Sequence, residues 1–171
     1  MFRNKANKVL YIARHAKSAW DNPGVSDHDR PLMEKGVKKT KLVTGFLLGK
    51  SVKPNLIISS SAVRARETAK IIAGGLGYAE SEIKIESNIY NADEEDLFDI
   101  LFALPNDITS VMLVGHNPAF THFANYFLRD ELEWMPTSTV VGIEFKTDKW
   151  EKIANAKKNI KFVITPKMLI E

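Results

Sequence analysis

Three short apolar runs, each ending in polar residues and each followed by a helical pattern, constrain this chain most. Residues 8–13 read Lys-Val-Leu-Tyr-Ile-Ala and deliver Arg14 and His15. Residues 55–59 carry Leu56, Ile57 and Ile58 and lead into Ser59-Ser60-Ser61. Residues 110–114 deliver Gly115 and His116. Unbroken runs this short, rich in β-formers, suit strands buried on both faces. Between and after them lie segments of helical spacing at 34–48, 62–73, 93–104 and 117–128. Gly49 marks the end of the first; Gly74, Gly75 and Gly77 mark the end of the second; Pro105 stops the third. Asp93 to Asp96 place acids in a first helical turn, where the macrodipole favours them. Asn117-Pro118 reads as an N-cap followed by a first helical residue. Further strands are expected at 83–86, 139–145 and 159–165, with 150–154 a candidate part of another. Strands alternating with helices predict an α/β fold with a largely parallel sheet.

In such a sheet, ligands bind beyond the carboxyl ends of the strands. If the three runs are parallel neighbours, Arg14-His15, Ser59-Ser60 with Arg64, and Gly115-His116 converge there. A lone histidine after a strand is an ordinary loop or core residue. Two of them, one preceded by an arginine whose planar fork suits phosphate, point to a phosphate site.

Composition narrows the chemistry. The 171 residues contain no cysteine, which removes disulfides, cysteine-ligated zinc and thiolate nucleophiles together. The net charge of +3 is too small to argue for nucleic acid, and the Lys-rich stretch at 156–161 reads as solvated surface. No signal peptide or membrane span is visible, so a cytoplasmic protein of one domain over 1–171, without a nucleic-acid or membrane partner, is expected.

The motifs together resemble those of the histidine phosphatase superfamily, which includes phosphoglycerate mutases. Arg14-His15-Ala16-Lys17-Ser18 is similar to its Arg-His signature. Asp29-Arg30-Pro31-Leu32 with Gly36 is similar to its Arg-Pro-Leu-Thr-x-x-Gly segment, with Met33 in place of the threonine. Residues 59–69, from Ser59 through Arg64 and Ala65 to Thr68 and Ala69, resemble its Ser-x-x-x-Arg-Ala-x-x-Thr-Ala segment, and Gly115-His116-Asn117-Pro118 its second histidine motif. The matches come in family order from Arg14 to Pro118. The short chain and the His-Asn-Pro variant resemble the SixA-type phosphohistidine phosphatase branch.

The resemblance implies a three-layer α/β/α sandwich with a mostly parallel central sheet, phosphoglycerate mutase-like. It implies that His15 is the nucleophile, passing through a phosphohistidine intermediate, with Arg14 and Arg64 clamping the phosphoryl oxygens and His116 donating to one of them. No metal and no cofactor are implied. Ser18 borders the pocket, and Trp20 is either an entrance residue or a packing residue. Arg30 is an additional phosphate contact or a surface arginine paired with Asp27 or Asp29. Asn117 is a helix cap and a pocket residue. Arg66, His28 and His122 are read as bystanders. A metal site of His15, His116 and His122 is disfavoured because 116 and 122 do not share a helical face. Ester-cleaving relatives need a leaving-group acid from the region between the histidine motifs. Glu94 is the candidate, against the plainer reading of an acidic helix start.

The expected substrate is a phosphohistidine protein, with histidine-containing phosphotransfer proteins as conceivable partners. The alternatives are a metal-independent phosphatase of small esters or other phosphoproteins, a mutase, and a phosphate-binding module without turnover.

Overall fold

The computed structural model describes residues 6–170. In chain order it contains β1 (Lys8–Arg14), α1 (Glu34–Gly49), β2 (Leu56–Ser59), α2 (Val63–Leu76), β3 (Lys84–Ile85), α3 (Glu94–Phe102), β4 (Ser110–Gly115), α4 (Ala119–Phe127), β5 (Val140–Phe145) and β6 (Lys158–Ile164). The six strands form one sheet in the order β3-β2-β4-β1-β5-β6. The first four in that order run parallel; β5 is antiparallel to β1, and β6 to β5.

Alternation along the central strands divides the apolar side chains between two cores. Leu10, Ile12, Val111, Leu113 and Ile58 join Leu97 and Leu101 of α3 and Phe120, Phe123 and Phe127 of α4. Tyr11, Ala13, Met112, Val114 and Ile57 join Val43 and Leu47 of α1 and Ala65, Ala69 and Ile72 of α2. One helix pair covers each face, which gives the expected three layers. It also explains why β1, β2 and β4 read as unbroken apolar runs, since both of their faces are buried.

Three segments depart from the sequence reading. The second helix does not stop at Gly74 and Gly75 but continues to Leu76, with Gly77 in the left-handed conformation at φ 73° as its cap. A Cβ on Gly75 would lie 2.3 Å from Thr44 Cγ2, so this glycine lets α2 lie close against α1. Residues 150–154 form no strand: Trp150–Lys152 is a 3-10 turn, and Trp150 is fully buried with its indole N–H donating to Ile108 O at 2.7 Å. The start of α4 also shifts by one: Pro118, not Asn117, is the N-cap, and the Asn117–Pro118 peptide is cis. Among the described residues no helix is long and apolar enough to cross a membrane.

Candidate functional site

The strand register brings the two histidines together. In the β1–β4 ladder Arg14 is opposite Gly115, so the next residues, His15 and His116, emerge side by side past its end. Their ring centroids are 5.1 Å apart. His15 is held through its backbone on both sides: its N–H donates to Gly115 O at 3.0 Å and its carbonyl accepts from Ser138 N at 3.2 Å. The next amide, Ala16 N, donates to Thr68 Oγ1 at 2.9 Å. Behind this turn Gly36 lies so close to Lys17 that a Cβ there would be 2.5 Å from the Lys17 carbonyl oxygen. That contact gives the glycine of the Arg-Pro-Leu segment a physical reason: it lets α1 back directly onto the loop that follows His15.

His15 Nδ1 lies 2.7 Å from Ala16 O. A carbonyl oxygen can only accept, so Nδ1 carries the proton of the neutral ring and Nε2 keeps its lone pair. Burial lowers the His15 pKa to about 3, and the charges of Arg14, Arg64 and Arg30 press the same way against the opposing Ala16 hydrogen bond. His116 is lowered to about 3 as well, by burial first and then by His15 and Arg64. Both rings are therefore neutral at neutral pH. Ser60, one residue past β2, meets His116 Nε2 at 2.7 Å through its hydroxyl.

Arg64 sits in the first turn of α2 and Arg14 at the end of β1. Arg14 Nη1 donates to Met135 O at 2.9 Å, and the same carbonyl accepts from Asn117 Nδ2 at 2.8 Å. Asn117 Oδ1 in turn accepts from Thr121 N and Thr121 Oγ1. Asn117 thus holds the peptide that steers Arg14, while its oxygen ties down the start of α4. Arg30 is buried rather than on the surface: it donates from Nη1 to Ser18 Oγ at 2.7 Å and from Nε to Asp27 Oδ1 at 3.1 Å, beneath the exposed Trp20 ring 3.4 Å away. Trp20 is consequently no core residue. Trp134 lies over Arg14 in a similar way, at 6.0 Å.

Among the described residues four buried side-chain polar atoms lack a hydrogen-bond partner, and three of them are Arg14 Nε, Arg64 Nε and His116 Nδ1. An unpartnered buried donor costs about 1–3 kcal/mol, so three clustered in one place are a poor design for stability alone. They are suited to an acceptor-rich group such as a phosphoryl oxyanion. Three guanidiniums against the Asp27 carboxylate, with neutral histidines, leave an excess of two positive charges, the complement of a phosphate dianion.

Glu94 lies elsewhere. Its carboxylate is 3.9 Å from His122 Nδ1, both side chains are substantially exposed, and the two line a surface cavity of about 330 Å³ with Pro118 and Ala119. Among the described residues no three His, Asp or Glu side chains form a metal-ligand group. Arg66 donates to Ser61 O, and His28 packs edge-on against Tyr90 with Nε2 3.0 Å from Ser61 Oγ. Sequence reasoning missed Tyr90, whose ring stands edge-on to His116 at 5.5 Å, and treated Asp27 only as a partner for Arg30. The Asp27-x-x-Arg30 spacing was the available signal for Asp27. Tyr90 follows a short 3-10 turn and carries no periodic pattern.

The profile of the histidine phosphatase superfamily (branch 1) matches residues 10–93. An uncharacterized chloroplastic protein of Arabidopsis thaliana is 33% identical over 128 residues, covering 70% of this chain and 58% of the plant protein. The chain therefore spans less than two thirds of that relative's length. Among solved structures, a candidate phosphohistidine phosphatase SixA from Agrobacterium tumefaciens is 27% identical with a TM-score of 0.77, covering 93% of this chain and 98% of that one. The protein histidine phosphatase SixA complexed with tungstate has the same fold at a TM-score of 0.79 and 23% identity, covering 95% of this chain and 99% of that one.

Proposed function

The chain belongs to the histidine phosphatase superfamily, and from that premise we propose that it hydrolyses phosphohistidine on proteins, with His15 as the nucleophile. The observation that carries this reading is the protonation pattern at the strand ends: a buried, neutral His15 with its proton committed to Ala16 O and its Nε2 lone pair available, among three arginines.

In the proposed reaction His15 Nε2 attacks phosphorus in line and the bond from phosphorus to the substrate's imidazole nitrogen breaks. The imidazole leaves neutral when its other ring nitrogen is protonated. Arg14 and Arg64 hold the equatorial oxygens, and His116 supplies a hydrogen bond as charge builds on them. Water then attacks the phosphorylated His15, the new P–N bond breaks, phosphate departs and the surplus proton goes to solvent. Splitting the displacement in two avoids a single difficult step.

The acids near the site favour this substrate class over esters. Asp27 is held at a pKa of about 2, by the Tyr90 hydroxyl first and by Arg64 and Arg30, so its carboxylate is ionised and occupied. Glu94 pairs with His122. A poor oxygen leaving group would find no carboxylic proton among these residues, whereas phosphohistidine needs none. Phosphorylated histidine-containing phosphotransfer proteins are suitable partners on the same chemistry.

The test is hydrolysis of a phosphohistidine protein and of para-nitrophenyl phosphate, with EDTA present, by wild type and His15→Ala. The expected result is chelator-resistant turnover that favours phosphohistidine and falls on the order of a thousandfold or more in His15→Ala. Preference for the ester would move the assignment to a small-ester phosphatase. Full activity in the variant would remove His15 from the chemistry.

A further inference from the structure

Asp27 meets the arginines of the site from outside. It opens the 3-10 turn Asp27–Asp29, in the loop between β1 and α1. Its backbone carbonyl accepts from Arg64 Nη1 at 2.7 Å, and its carboxylate Oδ2 accepts from Arg64 Nη2 at 3.1 Å. Oδ1 accepts from Arg30 Nε at 3.1 Å. The hydroxyl of Tyr90 donates to Oδ2. One residue therefore ties together two guanidiniums from different elements and is itself tied by a phenol from a third segment.

A carboxylate beside an anion site is at first sight unfavourable, because it repels the ligand. The geometry shows how the repulsion is limited and what is gained. The Asp27 side chain is 47% exposed, so water screens its charge, whereas the Arg64 and Arg30 side chains are only 7% and 9% exposed. Asp27 takes both terminal nitrogens of Arg64 and leaves Arg64 Nε buried without a partner, beside the equally unpartnered Arg14 Nε and His116 Nδ1. An arginine side chain with four free torsions would otherwise have to be ordered by the substrate itself, at a cost to affinity. With Asp27 in place that ordering precedes binding.

We infer that Asp27, locked by Tyr90, is the positioning residue that presets Arg64 and Arg30 for the phosphoryl group. The inference rests on the phosphatase reading above and extends it to a residue that neither touches the substrate nor transfers a proton. It also accounts for the Asp-x-x-Arg spacing: Asp27 opens the short turn and Arg30 follows its end, so one carboxylate reaches both its own turn's arginine and Arg64 of α2.

Asp27→Asn keeps the shape but sets an amide N–H against arginine donors. Calorimetric titration with inorganic phosphate should show binding weakened about tenfold in Asp27→Asn, the scale of one lost charge-assisted hydrogen bond. Tyr90→Phe, which retains the carboxylate and serves if Asp27→Asn does not fold, should weaken it about threefold. In turnover, KM should rise more than kcat falls, and by the same factor for phosphohistidine, para-nitrophenyl phosphate and phenyl phosphate. Unchanged affinity would overturn the inference. Tighter binding would show that the carboxylate competes with phosphate for the arginines and would overturn it too. A loss that grows with the basicity of the leaving group would make Asp27 a proton donor instead. If wild type binds phosphate but turns over none of the substrates, the phosphatase reading fails, while the phosphate titration still decides the role of Asp27.

Discussion

His116 and His122 are six residues apart, yet they belong to two differently built clusters. His116, with His15, lies past the ends of neighbouring parallel strands, 7% and 6% exposed. His122 lies on α4 opposite Glu94 of α3, with its side chain 58% exposed. In the first cluster burial and surrounding arginines hold both rings neutral, and polar atoms are left without partners inside the protein. In the second a histidine and a carboxylate face each other across an open surface cavity. Residue type and spacing alone therefore do not bury a histidine among cations; that requires the strand ladder to bring distant residues to one edge.

Removing a cation from the first cluster should have the largest effect. Arg64→Ala is expected to lower kcat/KM by about 10²–10³-fold, the scale of losing one preorganised stabiliser of developing charge. Arg64→Lys should recover only part of this, because a point charge cannot both grip Asp27 and present a second edge. Steady-state kinetics on a phosphohistidine protein checks both.

Acid should weaken the first cluster next. An unfolded histidine takes up a proton below about 6.5, while His15 and His116 in the fold do so only near 3. Between these values the unfolded state holds more protons, so stability falls as the pH drops through that window. The upper bound is about 1.4 kcal/mol per pH unit for each histidine. His116→Asn should flatten this slope, as read from denaturant midpoints at pH 7, 5 and 4. A slope unaffected by His116→Asn would mean that His116 is not buried neutral.

The smallest effect is expected at the second cluster. Glu94→Gln should change kcat/KM on phosphohistidine by less than about twofold, because its exposed pair with His122 contributes little and lies apart from the buried histidines. A loss confined to ester substrates would instead identify Glu94 as a leaving-group acid and narrow the contrast between the clusters.

Much of the fold was legible because the signals were local. The runs before His15 and His116 are apolar on both faces since each strand is covered on both sides, and the acids at 93–96 do start a helix, with Asp93 and Asp96 forming a reciprocal cap. The errors arose where tertiary contacts outweighed local preference. Gly75 sits inside α2 because Thr44 lies against it. Residues 150–154 are apolar enough for a strand, but Trp150 fills the core under α3 and α4 from a 3-10 turn instead.

The sequence by itself determined the alternation of strands and helices, the placement of Arg14, His15, Arg64 and His116 at strand ends or the following turn, and the absence of thiol chemistry. Each depends on neighbours within a few residues or on composition. Only the tertiary structure decided that His15 stands beside His116, that the His15 proton is committed to Ala16 O, and that Asp27 and Tyr90 close around Arg64. The first and last of those relations join distant residues, His15 with His116 101 positions apart and Asp27 with Arg64 37 apart; the second joins neighbours, but in a turn that Ser138 and Thr68 hold from elsewhere in the chain. They follow from strand register and from the exclusion of water, which no local pattern records.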